Sequence, residues 1–158
     1  MEINLKNLIV AYKEATESEK RMLANLFGKE NCQPKLITDR VKTYEDACDV
    51  LGIQQHNFLC SEDDPHGDNA SVVAFQKLTT IVRALNEGWQ PDWSNSGQYK
   101  YYPWFKANVS GSGLSFDGYD VWYSNTDVGS RLAFKNSELA AYAGKQFNDL
   151  YNQFLTIK

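Results

Sequence analysis

Side chains able to do chemistry are unevenly spread along this chain. All three cysteines and both histidines fall between Cys32 and His66, in company with Glu62, Asp63, Asp64 and Asp68. Thiolates, imidazoles and carboxylates are zinc ligands, and zinc sites bring them in close pairs such as C-x₂₋₄-C or H-x₃₋₅-H. Only His56 and Cys60 form a near pair here. The spacing favours ordinary thiols beside a solvated acidic loop, so no cofactor is expected, and metal binding by His56, Cys60 and His66 stays open. Glu87 and Asp92 flank Trp89 like paired carboxylates, with capping and turn polarity as the plainer account. No nucleophile, base and oxyanion site stand in recognisable relation, and there is no nucleophile elbow or phosphate loop. The expectation is a non-enzymatic protein. A small enzyme or metal-binding protein using the acidic 56–68 loop, or the Trp89–Asp92 segment, is the alternative.

A second set of residues points to binding. Along 99–109 the residues Tyr99, Tyr101, Phe105, Ala107 and Val109 alternate with Lys100, Tyr102, Trp104, Lys106 and Asn108, the period of a strand with one apolar and one mixed face. If the neighbouring strands join one sheet, the mixed face gathers Tyr102, Trp104 and Trp122 with Lys100, Lys106, Arg131 and Lys135. Aromatic and basic together, it has the chemistry of a platform that stacks the bases of single-stranded nucleic acid, a sugar or another planar ligand. Tyr102, Trp104, Trp122 and Arg131 are the candidate ligand-binding residues. The competing account is that helices cover both faces and these rings are core, and the number of amphipathic helices weighs towards it.

The elements that must position these residues can be read in order. Leu5, Leu8, Ile9 and Tyr12 make a helical stripe; Thr16 with Glu19 fits a capping box ahead of Met22, Leu23, Leu26 and Phe27, and Gly28 ends that run. Thr43 caps a short helix with Tyr44, Ala47, Cys48 and Leu51 on one face, ended by Gly52. ACDVLGI at 47–53 resembles the start of a helix-turn-helix, but IQQHNFLCSEDDP offers the phosphate backbone no cation. Asp68 or Asn69 caps a helix running to Glu87 with Ala74, Leu78, Ile81, Val82 and Leu85 inward. Pro103 calls for an edge strand or a bulge. Asp117-Gly118 reads as a two-residue hairpin turn pairing Phe116 with Tyr119 and Leu114 with Val121, which leaves Ser115, Asp120 and Trp122 on the opposite face. Residues Arg131–Lys135 read as a further strand. Asn136 or Ser137 caps a last helix in which Gly144 marks a close approach of backbone.

The fold expected is α+β: a helical N-terminal half over 1–88, an antiparallel three- or four-stranded β-meander over about 99–135, and a C-terminal helix over 137–155 packed on the sheet, all within a single domain 1–158. The composition is compatible, with 42% hydrophobic and 23% charged residues in 158. A net charge of -4 argues against a protein that coats duplex DNA. The start, MEINLKNLIV, lacks signal-peptide features, and no apolar run approaches the roughly 18 residues of a membrane span. A cytoplasmic location is expected.

Three blocks carry a family resemblance: TYEDACDVLGI at 43–53, LNEGWQPDWSNSGQYKYYPWF at 85–105 and SRLAFKNSELAAYAGKQFNDLYNQFL at 130–155. They resemble a family of small proteins of unknown function from gut Bacteroidetes, their prophages and related mobile elements. The resemblance implies a source and no activity or site residues. A binding or interaction module of mobile-element origin follows as the functional expectation, acting on a protein partner or on itself, with single-stranded nucleic acid not favoured and no membrane.

Overall fold

A computed structural model describes residues 5–32, 36–56, 58, 68–108, 111 and 113–157. The chain is α+β and divides into two compact units, 1–39 and 40–158. The first holds helices α1 (Leu5–Glu14), α2 (Glu17–Phe27) and α3 (Lys29–Cys32). Thr16 separates α1 from α2 as its capping signature requires: the Glu19 carboxylate accepts from the Thr16 N–H at 2.7 Å and from its hydroxyl at 2.6 Å. Leu8 and Cys32 are buried, whereas Met22 and Leu26 of the expected α2 stripe are exposed. A unit of this size has too little interior to cover every apolar face.

The one-turn helix α4 (Ile37–Arg40) spans the point in the chain where the division falls. The second unit is built on α5 (Tyr44–Leu51) and α6 (Asp68–Asn86). Thr43 Oγ1 accepts from the Asp46 N–H, and Asp46 accepts in return from the N–H groups of Lys42 and Thr43. Ala74, Leu78, Ile81, Val82 and Leu85 form the buried stripe of α6. After Gly52, residues 53–56 and 58 carry no helix, and the rest of the segment in which the second helix of a helix-turn-helix would lie is outside the described residues.

Strands β1 (Lys100–Ala107) and β2 (Leu114–Trp122) form a two-stranded antiparallel sheet. This corrects the expected meander in two places. First, Asp117-Gly118 is not the hairpin turn. Trp104 pairs with Gly118 and Phe105 with Phe116, leaving Asp117 as an extra residue in a bulge, while the turn lies at 108–113, where Asn108 N–H donates to Gly113 O. A type I′ turn needs positive φ at both central residues; Gly118 has one, +146°, and Asp117 does not, as a bulge allows. The face assignment survives: a two-residue loop and a one-residue bulge both return Phe116 and Tyr119 to the same side.

Second, 131–135 is not a strand. Ser130–Leu132 is a 3₁₀ turn, and only Phe134 bridges β1, exchanging both backbone bonds with Tyr101. Leu132, Ala133 and Phe134 are buried consecutively, unlike a strand with one solvated face. The backbone groups that another strand would pair are taken by one side chain: Asn86 Nδ2 donates to Ala133 O at 2.8 Å, and Lys135 N–H donates to Asn86 Oδ1 at 3.1 Å.

The expected C-terminal helix is two, α7 (Ser137–Gln146) and α8 (Asn148–Leu155), kinked at buried Phe147. The kink aims Asn148 and Asn152 at β2. Asn152 accepts from Leu114 N–H at 2.6 Å and donates to Leu114 O at 2.8 Å, replacing a strand neighbour at the sheet edge. Upstream, Tyr142 donates to Val41 O and Gln146 to Lys42 O.

Gly144 is where α7 meets the sheet. A Cβ there would stand 2.7 Å from Pro103 Cβ and closer still to the Phe116 ring. Ala is the better helix former by about 1 kcal/mol, yet overpacking costs typically 1–3 kcal/mol. Gly144→Ala is expected to lower stability in urea denaturation; a gain would mean that α7 can back away from Pro103. Asn86→Ala is expected to lose at least roughly 1–3 kcal/mol, the cost of leaving the buried Ala133 carbonyl unpaired, with the part-buried Lys135 N–H adding to it, and with the same assay as its check.

Candidate functional site

Alternation along the paired strands decides what shares a face. Lys100, Tyr102 and Trp104 lie opposite Trp122, Asp120 and Gly118, so the three expected rings come together. Tyr102 and Trp122 stack with centroids 6.1 Å apart and planes 8° off parallel, and Trp104 meets Tyr102 edge-on at 6.4 Å. Tyr102 is 2% exposed, Trp104 is 50% exposed and Trp122 lies between them in burial. Neither of the sequence-based alternatives describes this face completely. It is core at Tyr102 and open at Trp104, because α7 and α8 are spent on the opposite face, against Pro103, Phe105 and Phe116.

Arg131 does not join this cluster. It stands exposed in the 3₁₀ turn and lines a separate groove with Arg83 and Trp89.

The cations expected on the aromatic face are committed elsewhere. Lys100 is buried, and its Nζ donates to the carbonyls of Asn95 and Tyr123 at 2.9 and 2.8 Å while lying over the Trp93 ring. It ties the 89–99 segment to the end of β2. Lys106 pairs with Asp117 at 2.7 Å, and Lys135 with Glu87 at 3.0 Å. What remains beside the rings is negative. Burial, then the charges of Asp120 and Asp127, push the Tyr102 phenol up to about 12. Tyr102 Oη and Trp122 Nε1 are both buried and make no hydrogen bond of good geometry, but the phenol lies close enough to the Asp120 carboxylate and the Trp122 indole for both to bear on its titration.

The other face of the sheet holds a tyrosine group of which periodicity places Tyr99, Tyr101 and Tyr119 on the apolar side and leaves Tyr123 unassigned. Tyr123 meets Tyr99 at 5.1 Å, Tyr99 meets Tyr101 at 6.4 Å and Tyr101 meets Tyr119 at 6.0 Å, all edge-on. Tyr99, Tyr119 and Tyr123 are each about half exposed. The signal was in the residue type: a face meant wholly for burial is filled more readily by Leu, Ile or Val than by four phenols, whose hydroxyls want water or a partner.

The remaining candidates are quickly placed. Cys60, Glu62, Asp63, Asp64 and His66 lie outside the described residues. Among the described residues no three His, Cys, Asp or Glu side chains gather as a metal site, and Cys32 and Cys48 are buried free thiols. His56 lines a groove of about 460 Å³ with Phe58, Gln76, Thr80 and Arg83. Glu87 is engaged with Lys135, and Asp92 accepts from the Ser94 N–H and hydroxyl, which hold its carboxyl below the usual range. Among the described residues no helix is long and apolar enough to cross a membrane. No protein-family model matches the chain, and neither a curated protein nor a solved structure does.

Tyr102 makes the electrostatics testable. Its phenol titrates near 10 when unfolded and at about 12 when folded. Its contribution to stability is fully present below pH 10, declines as the pH rises towards 12 and is gone above that. Tyr102→Phe should flatten the alkaline stability profile over that window. A variant whose alkaline profile overlays that of the parent would assign the transition to other tyrosines.

Proposed function

We propose that this is a non-enzymatic interaction module of mobile-element origin that docks a lysine- or arginine-bearing segment of a partner protein on the Tyr102, Trp104 and Trp122 face. The observation that carries the reading is the juxtaposition of an exposed indole, Trp104, with a face whose lysines are engaged and whose remaining charges, Asp120 and Asp127, are negative. Cations are attracted to ring faces, most strongly to Trp, and to carboxylates. Tyr and Trp are also the residue types that concentrate binding energy in protein interfaces. Single-stranded nucleic acid is disfavoured by the same charges, because its phosphates need cations beside the stacking rings. The mobile-element origin rests on the family resemblance of the three sequence blocks.

Quenching tests the sign of the face before any partner is known. Trp104 fluorescence, isolated by comparison with Trp104→Phe, is expected to be quenched more strongly by caesium than by iodide, and the difference should shrink with added salt. A synthetic oligolysine or oligoarginine peptide is expected to bind more tightly than oligothymidylate or oligoglutamate. Trp104→Ala should weaken the peptide between about two- and thirtyfold, the range of an exposed to a desolvated cation–π contact, without unfolding the chain. Preferential quenching by iodide, or tighter binding of oligothymidylate, would overturn the proposal in favour of a nucleic-acid platform.

A further inference from the structure

The groove that receives Arg131 has a chemistry of its own. It lies between the C-terminal half of α6, the segment 89–91 and the 3₁₀ turn, encloses about 390 Å³, and is lined by Arg83, Trp89, Gln90, Pro91 and Arg131 among others, none of them a carboxylate. That volume falls within the range of about 300–1,000 Å³ typical of small-molecule sites. Both guanidinium groups belong to exposed residues, and neither forms an ion pair among the described residues. In a chain with 20 acidic residues against 16 basic ones, two arginines sharing one groove with no acid between them leave a local excess of positive charge. Of the acids near it in sequence, Glu87 is held by Lys135 and Asp92 accepts from Ser94, and neither these nor Asp127 line the groove.

The walls are braced independently of any ligand. Asn86 clamps the end of α6 to 133–135. Trp93 Nε1 donates to Ser130 Oγ at 2.6 Å, tying the loop after Trp89 to the residue before Arg131. A guanidinium is a planar fork that chelates carboxylate or phosphate oxygens through two parallel N–H bonds, while Trp89 and Pro91 offer a flat apolar wall beside it. We infer that this groove is a binding site for a small organic anion: a carboxylate or phosphate held by Arg83 and Arg131, joined to a flat ring that lies against Trp89.

The test is a titration followed by ¹⁵N chemical shifts of the arginine Nε–Hε and tryptophan indole groups in low-chloride buffer. The probes are benzoate, adenosine 5′-monophosphate, inorganic phosphate, and the uncharged benzamide and adenosine. Saturable shifts of Arg83, Arg131 and Trp89 with at least one ring-bearing anion are expected, and comparison of the two tells a carboxylate site from a phosphate site. Arg83→Gln with Arg131→Gln should weaken that anion roughly ten- to a hundredfold and leave the thermal midpoint unchanged, as both residues are exposed. Arg83→Lys with Arg131→Lys, which keeps the charge and loses the fork, should fall between. Equal binding of the uncharged analogue, equal binding of inorganic phosphate alone, or shifts that grow linearly on all lysines and arginines would each overturn the inference.

Discussion

The second unit depends on one buried amide. Asn86 ends the longest helix with its side chain turned onto the backbone of 133–135, donating to one carbonyl and accepting from one N–H. Buried backbone groups left unpaired are costly, and this chain has only two strands among its described residues with which to pair them. A single asparagine therefore does the work of a third strand at this point. It also sets where Phe134 bridges Tyr101, and through that bridge where β1 lies against the helices. Asn152 repeats the device at the other end of the sheet, pairing both backbone groups of Leu114.

A two-stranded sheet with helices on one side has an unavoidable consequence. Isolated hairpins are marginal in water and need a packed face, and α7 supplies it through Gly144, whose missing side chain admits Phe116 and Pro103. α8 adds Tyr151 against Phe105 and Asn152 on Leu114. Beyond these contacts the tyrosine zigzag on one side and Trp104 on the other remain open to solvent, so the sheet is at once the structural centre and the most aromatic surface of the unit.

The charges on that surface follow from the same economy. Lys100 has no acid to pair with among the described residues and is buried against two carbonyls and the Trp93 ring. Spent on joining two loops, it cannot attract a phosphate. Lys106 and Lys135 are spent on Asp117 and Glu87. A face that reads as basic in one dimension thus has its lysines held by partners and Asp120 and Asp127 beside its rings.

By itself the sequence determined the features that depend on near neighbours along the chain. The capping box at Thr16, the cap at Thr43, the α6 stripe and the sharing of one face by Tyr102, Trp104 and Trp122 rest on periods of 3.6 and 2 and on hydrogen bonds spanning three residues. Even the misread Asp117-Gly118 turn left the faces correct, because bulge and loop impose the same parity. The tertiary structure alone decided the rest. Whether a positive φ at Gly118 closes a hairpin or a bulge, whether 131–135 pairs as a strand or is capped by Asn86, and whether a lysine is free or bound are all settled by partners tens of residues away. Arg131 parted from the aromatic face for the same reason, since the 3₁₀ turn that carries it answers to Asn86 and Trp93, neither of which its own neighbourhood in the chain reveals.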